Sequence, residues 1–326
     1  LLATQKEKNL LLPKKLNMKI LGIGNAIVDV ICKVDDNFIK QNNLTKSTMK
    51  LFFHENEFQN LLKNLKIEKT VSGGSVANSI VGISQLGNKA GFIGKISDDE
   101  FGGNYEEGLK KENVEYLYSK KKEELPTGTC LILVTPDSER TMCTFLGIAG
   151  KINENDVSSD AIKKSEIIFL EGYLWDEGEP KKAFDKAINN ANKVAMSLSD
   201  LFCVDRHKPH FLNLVKNKLD ITFANEQEIT SLIEAKNFNE VINFSKQLNK
   251  LVIVTRGKKG AVAVNGDEVI ETDIQTNLKI VDLTGAGDLF AAGFLHGYIN
   301  KLSIKECLEK GTEMSSRVIQ QIGARL

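Results

Sequence analysis

Val281-Asp282-Leu283-Thr284-Gly285-Ala286-Gly287-Asp288-Leu289-Phe290-Ala291-Ala292-Gly293-Phe294 is the stretch on which the reading of this chain turns. The apolar run 278–281 gives way to three small residues, and an apolar pattern of helical period opens at Leu289 and Phe290 and continues through Phe294, Leu295 and Tyr298. The spacing predicts a helix whose N-terminus is preceded by glycines. The first backbone N–H groups of such a helix have no partner inside it and lie at the positive end of its dipole, so the turn attracts an anion such as phosphate. Gly285 and Gly287 let the backbone approach that anion closely. Asp288 is then the odd residue. A carboxylate repels phosphate unless it has a chemical task, yet it is also the acid that helix electrostatics favours in a first turn.

The chain outside this stretch is of ordinary globular composition. Its 326 residues are 41% hydrophobic, enough for one large domain with a sizeable core or two small ones. Lys+Arg and Asp+Glu both number 43, so no basic excess recruits nucleic acid or a membrane surface. Cysteines 32, 130, 143, 203 and 307 form no C-x-x-C pair and no regular spacing, which argues against a disulfide framework or a zinc site and fits a reducing cytoplasm. Apolar runs such as 131–134 and 167–170 are far shorter than a membrane span. Residues 1–17 read as a poorly ordered extension, with the domain proper spanning 18–326.

Residues 18–24 form an apolar run ending in Gly22-x-Gly24-Asn25, and 26–34 continue with β-branched residues interrupted by Asp29. The third glycine of a dinucleotide fingerprint is missing. A lone charge in a strand-like stretch is costly, so Asp29 either pairs internally or faces a ligand. Val71-Ser72-Gly73-Gly74-Ser75-Val76-Ala77-Asn78 opens a helical pattern through Ile80, Val81, Ile83 and Leu86. This is either a glycine turn with a serine N-cap or a turn whose Asn78 meets a hydroxyl-rich ligand. Strand-like residues 91–95 and a helix start at Asp98-Asp99-Glu100-Phe101-Gly102 follow. Residues 129–135 and 140–145 read as strands joined by a Pro136-Asp137-Ser138-Glu139 hairpin turn.

After Gly150 the alternation becomes regular: strands 167–171, 194–198 and 221–224 separated by helices 180–192, 209–216 and 227–235. That pattern implies β-α-β units, a parallel sheet and ligands at the C-terminal strand ends. His207-x-x-His210 lies between two of these elements and, with no third ligand nearby, reads as surface or core. Asn225-Glu226-Gln227-Glu228 follows a strand, where hard oxygen ligands would hold a hydrated Mg²⁺, or where a helix N-cap would look the same. Strand 251–255 ends in Thr255-Arg256-Gly257-Lys258-Lys259-Gly260. No P-loop signature, internal repeat or low-complexity tract occurs.

The motif Asp282-x-Thr284-Gly285-Ala286-Gly287-Asp288, with small Ala291, Ala292 and Gly293 after it, resembles the C-terminal signature of the ribokinase-like, PfkB-type kinases of small molecules. The resemblance implies an α/β fold, a three-layer core with a mainly parallel sheet plus a small β-sheet lid drawn from roughly 28–54 and 126–147. It also implies ATP with Mg²⁺ as cofactors and a small-molecule substrate, on a monomer or homodimer. The turn Gly285, Ala286, Gly287 becomes the anion hole, and Asp288 the general base. Asp29, Gly73, Gly74 and Asn78 occupy the family's sugar-binding places, although Val76 and Ile80 replace its usual small residues. Asn225 and Glu228 match its Asn-x-x-Glu motif, implying a metal role through water. Thr255, Gly257 and Gly260 match its nucleotide turn, shared with Asn225, Gly285 and Gly287. Arg140, Met142 and Thr144 fall in the implied lid, Arg140 as a phosphate contact or a surface arginine.

Within the family the chain is most similar to the adenosine kinases. Asn25 lies four residues before Asp29, as in those enzymes, and Glu171-Gly172-Tyr173-Leu174-Trp175 is similar to their purine-facing segment. The expected activity is ATP-dependent phosphorylation of the adenosine 5′-hydroxyl. Another nucleoside, a sugar or a sugar acid as acceptor, or a non-catalytic nucleotide-binding role, remain the alternatives. Tyr173, Leu174, Met142 and Thr144 are candidates for the purine slot or for core packing.

Overall fold

The computed structural model describes residues 18–326 other than Ser138; the expected extension 1–17 and the tip of the 136–139 turn fall outside the described residues. In chain order the strands are β1 (Met18–Ile23), β2 (Ile27–Lys33), β3 (Met49–Phe52), β4 (Ile67–Ser72), β5 (Ala90–Ile93), β6 (Val114–Tyr116), β7 (Gly128–Val134), β8 (Arg140–Phe145), β9 (Ser165–Glu171), β10 (Val194–Ser197), β11 (Ile221–Asn225), β12 (Leu251–Thr255), β13 (Ala261–Asn265) and β14 (Glu268–Thr272). The helices are α1 (Asp36–Gln41), α2 (Glu55–Leu62), α3 (Ser75–Gln85), α4 (Glu100–Lys111), α5 (Ser159–Lys163), α6 (Glu179–Asn190), α7 (Leu201–Asn217), α8 (Glu226–Ile233), α9 (Phe238–Leu248), α10 (Ala286–Ile299) and α11 (Ile304–Val318).

Nine strands form the main sheet in the order β14-β13-β12-β11-β10-β9-β1-β5-β6, parallel except where β13 pairs with β12 and β14. Central strands such as β9 and β12 are apolar on both faces, as expected of a sheet covered on both sides. Ile167 and Phe169 of β9 join a core with α3, α4, α10 and α11, while the alternate residues Ile168 and Leu170 join a second core with α5 to α9. The result is a three-layer α/β fold. Chain order reverses about β1, which lies between β9 and β5, so the C-terminal ends of β1 and β9 open a crevice at the switch point.

A second sheet, β3-β8-β7-β2-β4, carries the early insertion and the β7–β8 hairpin. Period-two alternation sorts its side chains. Val30, Cys32, Leu131, Leu133, Cys143 and Phe145 pack into the main core, and the alternate residues Ile27, Cys130 and Ile132 form a small cluster on the other face with Met142 at its margin. The register aligns Asp29 with Cys130 and Cys130 with Thr144, so these three share that second face. Strand β4 lies outside the two segments that sequence assigns to this sheet.

Several local expectations are corrected. Helix α7 begins at Leu201, not 209, because the Asp200 carboxylate caps the Phe202 amide and the chain accommodates Pro209 through a kink at His207. His207 and His210 therefore lie inside a helix, with both rings against Trp175. Helix α10 begins at Ala286, three residues before its apolar pattern. Ser75 is not an N-cap: Gly74 takes that position and the Ser75 side chain turns elsewhere.

Candidate active site

Two helix starts meet at the crevice. At α3, Gly74 adopts φ +97°, and a Cβ on Gly73 would fall 2.4 Å from an Asp29 carboxylate oxygen. Only glycine brings this backbone against that carboxylate. At α10, Gly285 is the N-cap with φ +79° and makes no side-chain capping bond, and the space above Gly287 is open to 4 Å. The Ala286 amide donates to the Leu283 carbonyl at 3.2 Å, and the Gly287 and Asp288 amides have no acceptor among the described residues, which leaves an anion cradle.

Asp288 is fixed from α3 across this junction. The Ser75 hydroxyl donates to Oδ1 at 2.6 Å, Asn78 Nδ2 donates to Oδ2 at 3.0 Å, and the Ser79 hydroxyl donates to the Asp288 carbonyl at 2.8 Å. Burial raises the Asp288 pKa, while these two side-chain bonds and the nearby Arg325 charge oppose the rise. Burial also lifts Asp29 from 3.8 to about 7, opposed by Arg325 and reinforced by Asp288, so the two carboxylates act on one another across the crevice. Four residues singled out in the sequence, Asp29, Gly73, Asn78 and Asp288, thus come together from β2, the β4–α3 turn, α3 and α10.

Asn25 serves the frame of the crevice. Its backbone and side-chain N–H groups donate to Glu171 Oε1 at 3.3 and 3.0 Å, and the Val76 amide donates to Oε2 at 2.9 Å. Glu171 therefore ties the ends of β1 and β9 to the start of α3. Burial raises its pKa to about 7 against those three hydrogen bonds. Asn25 Oδ1 is buried and has no partner among the described residues. Tyr173 is 39% exposed beside this frame, whereas Leu174 is 2% exposed in the core behind the sheet, which removes it from any purine slot.

Arg140 Nη1 pairs with Asp282 Oδ2 at 2.6 Å, linking β8 of the second sheet to the segment before the glycine turn. Burial works against the Asp282 charge, but bonds from the Gly323 amide and Thr284, with Arg140 alongside, hold its pKa below the ordinary value. Thr144 donates to Cys130 Sγ at 3.2 Å, next to Asp29 in the same row.

A separate cleft of about 860 Å³ opens at the ends of β11 and β12, lined in part by Asn225, Glu226, Thr255, Arg256, Gly257 and Lys259. Asn225 and Glu228 form a reciprocal capping box at its edge: Oδ1 accepts from the Glu228 amide at 2.8 Å, and the Asn225 amide and Nδ2 donate to the Glu228 carboxylate at 3.0 and 2.6 Å. Gly257 and Gly260 bound the turn from β12 to β13, with Gly260 pressed against the Thr272 carbonyl. The described residues contain no group of three acids, histidines or cysteines able to hold a metal directly. A Mg²⁺ that keeps its water shell and binds chiefly to a triphosphate fits this donor set; a directly caged ion does not.

Some of these contributors carry no sequence signal. Ser75 reads only as an N-cap, Ser79 looks like a helix surface residue, and Arg325 lies in no motif; only Glu171, an acid closing the run Ile167-Ile168-Phe169-Leu170, was detectable by the same reasoning that singled out Asp29.

A parallel α/β core, a helix start open to an anion and a clamped carboxylate define a phosphotransferase acting on an alcohol. Residues 20–326 match the pfkB family carbohydrate kinase profile, and the chain belongs to that family. Adenosine kinase from Sinorhizobium meliloti is 36% identical, with a TM-score of 0.86 over 95% of this chain and 96% of that one. A probable sugar kinase from Rhizobium etli is also 36% identical, with a TM-score of 0.85 over 95% of each chain. A Clostridium botulinum 5-dehydro-2-deoxygluconokinase is 26% identical over 277 residues, 79% of this chain and 81% of its own. No helix among the described residues is long and apolar enough to cross a membrane.

Proposed function

We propose that the chain transfers the γ-phosphoryl group of ATP to the 5′-hydroxyl of adenosine, giving AMP and ADP. The observation that carries the chemistry is the Asp288 carboxylate, held by Ser75 and Asn78 at the open start of α10. Asp288 takes the hydroxyl proton as the acceptor oxygen bonds to phosphorus. The bond from phosphorus to the ADP oxygen breaks, and the first-turn amides of α10 stabilise the equatorial charge. A hydrated Mg²⁺ beside Asn225 and Glu228 supplies charge neutralisation on the phosphates when bound.

For the acceptor, Asp29 presents two carboxylate oxygens to a pair of ribose hydroxyls, bonds that are stronger to a charged acceptor than to a neutral one. Asn78 and the Gly73-Gly74 backbone complete the sugar site, and Met142, Thr144 and Tyr173 line the purine side. The second sheet acts as a lid that excludes water. Similarity to the S. meliloti enzyme supports this acceptor. The relatives named 5-dehydro-2-deoxygluconokinase favour a sugar acid instead. A product assay with ATP and Mg²⁺ across adenosine, 2′-deoxyadenosine, ribose, fructose and 5-dehydro-2-deoxygluconate decides between them. Adenosine is expected to have the highest kcat/KM, and Asp29→Ala to cost more with adenosine than with 2′-deoxyadenosine. A higher kcat/KM for a free sugar or sugar acid overturns the adenosine assignment.

A further inference from the structure

Arg325 enters the crevice from residues 323–326, which run alongside the glycine turn. Its neighbour Ala324 lies where a Cβ on Gly285 would fall, at 2.6 Å, and the Gly323 amide donates to Asp282 at 2.8 Å. The Arg325 side chain donates from Nε to Asn78 Oδ1 at 3.0 Å, and the same Asn78 amide donates from Nδ2 to the Asp288 carboxylate at 3.0 Å. The guanidinium is therefore one hydrogen-bonded residue away from the base. Asp29 and Asp288 both feel its charge. Its Nη2, however, is buried and has no acceptor among the described residues.

A buried guanidinium N–H without an acceptor is costly, and native structures retain such groups where a water, an ion or a catalytic role completes them. An oxygen that completes this one meets a guanidinium tied through Asn78 to Asp288, at the start of α10. An oxygen of a phosphoryl group in transfer to a hydroxyl held by Asp288 has the charge that such a donor favours. The planar fork suits two tasks at once, with one edge on Asn78 and the other free for phosphate.

We propose that Arg325 is a catalytic residue of the phosphotransfer, donating from Nη2 to a non-bridging oxygen of the phosphoryl group while Asn78 holds the guanidinium through Nε. Arg325 gives up no proton in the step: the hydroxyl proton goes to Asp288, the new O–P bond forms, and the electron pair of the broken bond leaves with ADP. Between turnovers the guanidinium balances Asp29 and Asp288. This inference rests on the phosphotransferase reading and is independent of which acceptor is used.

The test uses the full chain with whichever acceptor of the panel has the highest kcat/KM, so failure of the adenosine assignment leaves it intact. Arg325→Ala is expected to lower kcat by about 10²–10³, the range for one preorganised donor at developing charge, with the KM values for ATP and acceptor nearly unchanged. Added guanidinium at low millimolar concentration restores part of kcat without changing Tm, a rescue that a merely structural residue does not give. The acid limb of kcat/KM moves to higher pH, because the cation that faces Asp29 on β2 and Asp288 on α10 is gone; Tyr105 and Glu112 near α4, Glu171 on β9 and Arg140 on β8 remain. A raised acceptor KM with kcat retained makes Arg325 an acceptor anchor and overturns the proposal, as does a raised kcat/KM, which makes it an occluding plug. Should Arg325→Ala not fold, Arg325→Lys decides. Its ammonium keeps the buried charge but cannot span both partners, so full wild-type kcat in that variant overturns the proposal.

Discussion

Helices α8 and α10 both begin where the sequence places phosphate chemistry, yet their first turns are built in opposite ways. At α8, Asn225 and Glu228 bond to one another, so that the Glu228 amide, one of the orphan donors, and the cap amide are satisfied within the chain. At α10 no side chain caps the turn, Gly287 faces open space, and the acid in the first turn is bound by residues of α3 instead. A self-capped terminus contributes stability and has little field left for a ligand, whereas an uncapped one forgoes that stability and keeps its donors for an anion. Identical logic at the level of residue type, small or acidic residues opening a helix, therefore covers two different physical arrangements. Only the partners distinguish them.

The largest effect expected from breaking this contrast is at Asp288. Asp288→Asn removes the base but leaves groups that still pair with Asn78 and with a rotated Ser75 hydroxyl, so the fold is kept. Turnover is expected to fall by about 10²–10⁴ with little change in ATP affinity. Steady-state kinetics beside a thermal melt check this, and a variant with most of its kcat takes Asp288 out of the mechanism.

Helix α3 is a third case, closed by a carboxylate distant in sequence, and it gives the comparison a pH axis. Glu171 titrates near 7 in the folded protein against an ordinary 4.5, and Glu228 does the same. Between those values the native state holds protons that the unfolded chain has lost, so unfolding free energy falls as pH rises through this window and levels off above about 7. Each group contributes at most about 3 kcal/mol to that fall. Glu171→Gln is expected to flatten the slope and to raise stability at pH 8 relative to pH 5. Denaturant melts at the two pH values measure it, and an unchanged slope places the proton elsewhere.

Gly287 is the smaller probe of the open turn. Because nothing lies within 4 Å of its added Cβ, Gly287→Ala is tolerated by the fold and gains helix propensity. The methyl group occupies the anion cradle, so kcat/KM is expected to drop about tenfold or more through displacement of the phosphoryl group. An unaltered kcat/KM would mean that phosphate approaches from another side.

How much of this was legible in the sequence follows from where each signal is stored. The layered core was readable because the apolar character of continuous runs such as Ile167-Ile168-Phe169-Leu170 is local, and so were Asp29 and the glycine turns, whose cost or permissiveness is a property of single residues. The pairing of Ser75 with Asp288 spans 213 positions, and that of Arg325 with Asn78 spans 247. No local pattern encodes such contacts. The true start of α7 was hidden for the opposite reason: Pro209 is a strong local breaker, and packing of Cys203, Val204 and Phe211 into the core overrides it.

The smallest expected effect concerns the closed terminus, and it decides whether α8 is only a helix start. Asn225→Ala removes the cap and is expected to cost about 1 kcal/mol of stability, read from a denaturant melt. Glu228→Gln keeps a residue that can complete the box, so the helix survives, and loses a carboxylate that burial already disfavours. Stability at pH 8 should therefore hold or rise. If the box also steers a hydrated Mg²⁺ towards the phosphates, the neutral amide holds that water shell less well, and the Mg²⁺ concentration for half-maximal rate rises a few-fold while kcat at saturation is nearly kept. A Mg²⁺ titration that superimposes on the wild type, together with the stability change, returns Glu228 to capping alone and leaves the open turn of α10 as the only phosphate-facing helix start of the pair.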